Sequence, residues 1–233
     1  MSAEKKASAK NDIFAFYIGR KLSYLLTIPF LYTKLSPNAI SLLSMVPIAA
    51  GFILCVFGKT PQASLAAWAC FFLWNLLDGV DGNVARYKKQ FSKMGSVYDA
   101  MSGYAAMVLS FFAWGILAAH RPGVLQRAVA FPQEAYIILG ALSGIFVIFP
   151  RLVMHKAITA LGDKNAMDAV KDKAHYDAVK MIALNLTSIA GFVQVFMLFS
   201  VILNMEDLFT AGYFFVNLAV MLVSLRTVLT GER

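Results

Sequence analysis

Leu77-Asp78-Gly79-Val80-Asp81-Gly82-Asn83-Val84-Ala85-Arg86, followed by Gly95 and Asp99, sets three carboxylates and three glycines between long apolar runs. Ionised carboxylates are costly at membrane depth, so by default they mark a site and not a packing solution. Asp78 and Asp81 are three residues apart and share a face of any helix they occupy. Asp99 follows a basic turn (Lys88, Lys89, Lys93) at the start of the next apolar run, where it can close on the first two from a facing helix. All-oxygen carboxylate clusters suit Mg²⁺, Mn²⁺ or Ca²⁺. Gly79 and Gly82 have a plain alternative as close-packing positions, and Arg86 as a membrane anchor. Close packing does not account for the three acids.

Outward from this stretch, the composition fixes the class. The chain of 233 residues is 59% hydrophobic and 15% charged, with a mean hydropathy of +0.66. Those values describe an all-α polytopic membrane protein and exclude an ordinary soluble domain. Met1 to Lys10 is polar and lysine-rich and does not read as a signal peptide. Cys55 and Cys70 sit inside apolar runs at no metal-binding spacing and read as inert core residues. The net charge of +8 could suggest nucleic acid. Its positive residues lie in short loops beside apolar spans, so membrane lipids with anionic headgroups are the expected partner and nucleic acid is not.

Phe14, Ile18, Leu22 and Leu25 recur at helical spacing, with Arg20 and Lys21 elsewhere on the wheel. That pattern predicts an amphipathic helix over 12–26 lying in the membrane interface. A first spanning helix is excluded there, because Arg20, Lys21 and Lys34 leave too short an apolar run. Ser36-Pro37-Asn38 starts the first span, with Ser36 as N-cap and Pro37 at the first position. Six spans are predicted, over about 38–57, 63 to the Asp78 cluster, 95–119, 133–155, 181–203 and 208–229. Arg121-Pro122-Gly123 ends the third before a longer loop, and Pro150 is a kink position in the fourth. The domain reading is one unit over 1–233: a flexible 1–11, an interfacial helix and linker over 12–35, and a six-helix bundle over 36–230.

Orientation follows from the basic residues: eighteen of the 21 lysines and arginines fall on one side of the spans, leaving Lys59, Arg121 and Arg127 on the other. The positive-inside rule then predicts that both termini and the Asp cluster lie on the cytoplasmic face of the inner, or cytoplasmic, membrane. Phe and Tyr near the span ends read as interface belts.

The central stretch resembles the CDP-alcohol phosphotransferase (CDP-alcohol phosphatidyltransferase) family. That family's signature is D-x-x-D-G-x-x-A-R-x8-G-x3-D-x3-D, and Asp78, Asp81, Gly82, Ala85, Arg86, Gly95 and Asp99 fall on it in register. Its last position departs, because Gly103 stands where the family has an aspartate that serves as the proposed general base and contributes to the metal site. The resemblance implies six membrane helices, Mg²⁺ or Mn²⁺ held by Asp78, Asp81 and Asp99, and catalytic roles for Asp81 and Asp99. It places Gly82, Ala85, Arg86, Gly95 and Asn38 near the nucleotide. A CDP-linked donor, an alcohol or lipid acceptor and a homodimer are the partners expected.

The chemistry that follows is transfer of a substituted phosphate to an alcohol with release of CMP, in phospholipid or related headgroup synthesis. Charge on the diphosphate must be neutralised, which a divalent ion on carboxylates does. Gly82 and Ala85 lack bulk beside a nucleotide, and Arg86 offers a planar fork to phosphate. The donor is either CDP-diacylglycerol or a CDP-headgroup. With Gly103 in place, the base is a bound water, a substrate phosphate, or a neighbour such as Tyr98, Ser102 or Tyr104. Arg151 and His155, one turn apart, are candidates to meet the acceptor, with an interface anchor as the plain alternative. Asp163, Asp168, Asp172 and Asp177, interleaved with Lys171, Lys173 and His175, read as a solvated helix surface. The rival readings are a family member that binds CDP-alcohol and metal without ordinary turnover, and an ion or solute transporter. The latter needs more intramembrane polar residues than the other spans carry.

Overall fold

The computed structural model describes residues 11–129, 131–161 and 178–230, and among these every regular element is a helix. A π-helical turn, Ala15–Gly19, leads into α1 (Arg20–Leu31). Then come α2 (Pro37–Phe57), α3 (Pro61–Tyr87), α4 (Gly95–His120), a short α5 (Val124–Ala128) and α6 (Gln133–Leu161). The chain closes with α7 (Ala178–Thr187), α8 (Phe192–Leu203) and α9 (Glu206–Thr230). Five of these, α2, α3, α4, α6 and α9, are long and apolar enough to cross a membrane, and α8 is a shorter apolar helix. The chain is an integral membrane protein. The first ten residues and the charged segment over 162–177 lie outside the described residues.

Local chemistry sets the helix starts. Ser36 accepts a hydrogen bond from the Ala39 amide at 3.2 Å with Pro37 in the first turn, as its sequence predicts, and Thr60 does the same for Ala63 at 3.2 Å ahead of Pro61. Asn204 ends α8 in the left-handed conformation at φ 52°. Helix α6 runs through Pro150 as a single element.

In lipid there is little hydrophobic drive between helices, so small residues and interhelical hydrogen bonds join them. Helices α4 and α6 meet at Gly115 and Gly140, where a Cβ on Gly115 would lie 3.0 Å from the Gly140 Cα and 2.5 Å from the Tyr136 carbonyl. Trp114 donates to Ser200 at 2.8 Å, and Asn217 to Ser143 at 2.7 Å, within a core built on Phe71, Trp74, Trp114, Leu117 and Met197.

The predicted fifth span is not one helix. It breaks over 188–191 into α7 and α8, because the turn finds partners outside its own helix. Ser188 donates to the Asp12 carboxylate at 2.5 Å, Asn75 donates to the Ala190 carbonyl at 3.0 Å, and Trp68 donates to the Gln194 carbonyl at 2.9 Å. A Cβ on Gly191 would stand 2.8 Å from both Asp12 and Ser188, so only glycine permits this approach.

Helix α1 is present, but it docks on a face other than the apolar one. Ile18, Leu22 and Leu25 are exposed, while Gly19, Ser23 and Thr27 are buried. Ser23 donates to the Leu76 carbonyl at 3.0 Å, and Thr27 accepts from Asn83 at 3.0 Å. A side chain on Gly79 would collide with Ser23, which assigns that glycine to packing.

Candidate functional site

The first turns of α2, the last turns of α3 and the first turns of α4 converge on one cavity of about 350 Å³. From α2 come Asn38 and Ser41; from α3, Asp81, Gly82, Ala85 and Arg86; from α4, Gly95 and Asp99. The turn between α3 and α4 closes the rim with Phe91 and Ser92. Of the residues expected at the site, Asp81, Asp99, Gly82, Ala85, Arg86, Asn38 and Gly95 all face this space. Asp78, one turn before Asp81, is not among its lining residues.

The turn owes its shape to Lys88 and Lys89. The Lys88 ammonium donates to the Phe30 and Thr33 carbonyls at 3.3 and 2.7 Å, tying the end of α3 to the end of α1. Lys89 takes the left-handed conformation at φ 55° and lets the chain turn back, the Gln90 amide donating to the Ala85 carbonyl at 3.0 Å. Asn38 reaches across to the Ser92 hydroxyl at 3.2 Å and holds the turn against α2.

Asp81 is buried, and the Ser41 hydroxyl donates to its carboxylate. One turn deeper on α2, Ser44 bonds Ser102 of α4 at 2.7 Å, and Trp74 of α3 donates to Ser102 at 2.9 Å. This line of hydroxyls fixes the three helices that carry the site. Nothing in the sequence singles out Ser41 or Ser44; two serines three residues apart in an apolar run are the only signal. Ser102 is fully buried in this line, which removes it from the candidate bases. Arg86 donates to Asn83 at 2.7 Å and folds back over Gly82, where a Cβ would stand 3.3 Å from the guanidinium. The absence of bulk at Gly82 thus leaves room for the guanidinium. A Cβ on Gly95 would make only ordinary contact, 3.8 Å from Asn38.

Among the described residues, no three His, Cys, Asp or Glu side chains stand close enough to hold a metal ion together. The donors facing the cavity are nonetheless carboxylate, hydroxyl and amide oxygens, the set that hard divalent cations take. Arg151 and His155 lie on α6, outside the cavity lining, and the Tyr104 hydroxyl is hydrogen-bonded to His155 Nδ1 at 3.1 Å.

A membrane-embedded helical bundle with paired acids facing a polar cavity at its helix ends defines the class. The family model for CDP-alcohol phosphatidyltransferase matches residues 34–225, and the chain belongs to that family of membrane transferases of phospholipid synthesis. The matched region takes in every cavity residue and leaves α1 outside it. No curated protein matches the chain.

Proposed function

We propose that the chain moves a substituted phosphate from a CDP-linked donor to an alcohol, releasing CMP, in the cavity between α2, α3 and α4. The observation that carries this reading is the meeting of Asp81 and Asp99, from two different helices, in one cavity with Arg86 and Asn38. Asp81 and Asp99 would hold Mg²⁺ or Mn²⁺ from the cavity wall, and Asp78, one turn before Asp81 on α3 and outside the lining, would have to close on the ion to join them. Bound there, the ion supplies Lewis-acid neutralisation of the diphosphate and of departing CMP. Arg86 takes a phosphate oxygen pair, a task its planar fork suits better than an ammonium. Gly82 and Ala85 let the nucleotide lie against the backbone of α3, while Asn38 and Gly95 border it from α2 and α4. Ser41 fixes the Asp81 carboxylate before substrate arrives, so orientation is set in advance.

The test is CMP release by purified protein, with Mg²⁺ or Mn²⁺, over donors that pair CDP-diacylglycerol with soluble alcohols and CDP-headgroups with lipid acceptors. Release that needs donor, alcohol and ion together, and that Asp78→Asn abolishes, supports the reading. Asp78→Asn with undiminished metal-dependent binding of the CDP-alcohol refutes the metal assignment, and silence with every pair refutes transfer.

The basic-residue bias supports a cytoplasmic cavity and cytoplasmic termini, with α7 and α8 together completing a sixth crossing. Lys93, exposed in the turn after α3, is the reporter. Lys93→Cys is expected to react with a membrane-impermeant thiol reagent only after the cell is opened; labelling of intact cells reverses the topology.

A further inference from the structure

We propose that α1 positions the phosphate-binding arginine, Thr27 acting through Asn83 on the Arg86 guanidinium, an inference that rests on the proposed transfer reaction. Neither positioning residue belongs to what defines the family. Thr27 precedes the matched residues 34–225, and Asn83 fills a position that the signature leaves open. Arg86 lines the cavity yet is exposed, a setting in which a long side chain samples many rotamers. A guanidinium fixed beforehand gives up less of that freedom when it takes a phosphate.

The polarity of each bond sets the next. Thr27 is buried, and its hydroxyl donates to the Ser23 carbonyl at 2.6 Å, one turn earlier on α1. With its proton spent there, the oxygen presents a lone pair to α3, and Asn83 Nδ2 donates to it at 3.0 Å. The Asn83 carboxamide is thereby turned so that its Oδ1 is left to accept from Arg86 Nη2, which it does at 2.7 Å, one turn further along α3. The guanidinium keeps its other N–H donors for phosphate. It lies over Gly82, where a Cβ would stand 3.3 Å from Nη1 and 3.4 Å from Nη2.

Helix α1 is held closely enough to serve as the reference for this relay. Ser23 donates to the Leu76 carbonyl at 3.0 Å, and a Cβ on Gly79 would stand 2.5 Å from the Ser23 hydroxyl, so the two helices touch with no room for a side chain. Just past Arg86, the Lys88 ammonium donates to the Phe30 and Thr33 carbonyls at the end of α1. Arg86 therefore sits between two ties of α3 to α1, one at Asn83 and one at Lys88.

The experiment uses full-length protein in detergent and reads the dissociation constant of CDP with Mg²⁺ by calorimetry, with unfolding midpoints as a check on folding. CDP carries the nucleotide and diphosphate that every candidate donor shares. Thr27→Val keeps the size of the side chain and removes the hydroxyl. It is expected to weaken CDP binding roughly tenfold, the order of one hydrogen bond to a charged group. Asn83→Leu is expected to do the same, and Thr27→Ser, which keeps the hydroxyl, to bind as the wild type does. In an Arg86→Met background, Thr27→Val is expected to change CDP binding no further, because the group it acts through is gone. Ser23→Ala loosens the docking of α1 without touching Asn83, so it is expected to lower the unfolding midpoint and keep CDP binding near that of the wild type. CDP binding that Thr27→Val and Asn83→Leu leave unchanged overturns the proposal and spares the transfer reaction. A loss that persists in full in the Arg86→Met background, or that Ser23→Ala reproduces, overturns it too, since either makes α1 a structural support only. A wild type that does not bind CDP with Mg²⁺ removes the nucleotide site itself, and this inference with it.

Discussion

At one end of α3 and α4, Asp81 and Asp99 look into a cavity; at the other, Glu206 is sealed against Arg121 beside Ser64. Both ends carry acids in an apolar bundle, and their surroundings differ in kind. Glu206 and Asp207 are fully buried at the start of α9. Asp207 accepts from the Gln126 amide at 2.8 Å and from the Leu208 amide at 2.7 Å, which pins the α5 segment to α9. Gly123 leaves room for that carboxylate, since a Cβ there would overlap it. The sealed end spends its acids on cations and amides of its own chain. The open end meets Asp81 with the Ser41 hydroxyl and the Gly82 amide but, among the described residues, seals neither carboxylate against a cation in an ion pair, leaving the counter-charge to what enters the cavity. Acids in a membrane protein therefore divide by whether the chain supplies the counter-charge.

The largest effects expected come from exchanging what the two ends lack. Asp81→Asn removes a charge that the cavity uses, while a carboxamide still accepts from Ser41. CMP release is expected to fall about 10³-fold or more, with the unfolding midpoint nearly unchanged. Glu206→Gln does the reverse, since it leaves the largely buried Arg121 guanidinium without its counter-charge. A loss of roughly 3 kcal/mol in stability is expected, read as a lower unfolding midpoint in detergent, with turnover per folded molecule kept. If Glu206→Gln silences turnover and spares stability, the division between the ends collapses.

The open end was legible in the sequence because its signal is chemical and local: acids and glycines at helical spacing in an apolar run. The Ser36 cap was legible for the same reason. The break in the fifth span was not. Ser188, Ala190 and Gly191 read as ordinary members of an apolar window, and what opens the turn is Asp12, Asn75 and Trp68, all distant in sequence. The docking face of α1 was missed for a physical reason as well. The apolar stripe that assigns α1 to the membrane interface says nothing of the face that meets the bundle, and that face is built by Ser23 and Thr27 against α3 while the stripe faces out. Ser41 and Ser44 escaped because a lone hydroxyl in an apolar helix has no periodicity to detect.

Two glycines on α4 sharpen the comparison at smaller scale, one toward each end of the helix. At Gly115 the first atom of any side chain would meet the Tyr136 carbonyl and the Gly140 Cα of α6. Backbone cannot yield as a flexible side chain does, so Gly115→Ala must push α4 and α6 apart. It is expected to cost about 1–3 kcal/mol, as overpacking does. At Gly103 the same methyl meets open space. Gly103→Ala therefore gains only the helix preference of alanine over glycine, roughly 0.5–1 kcal/mol in the stabilising direction. Unfolding midpoints of the two variants in the same detergent should move in opposite directions, Gly115→Ala the further. A Gly103→Ala protein that unfolds earlier than wild type would mean the space beside Asp99 is filled in the folded protein, and the open end would then be open only in part.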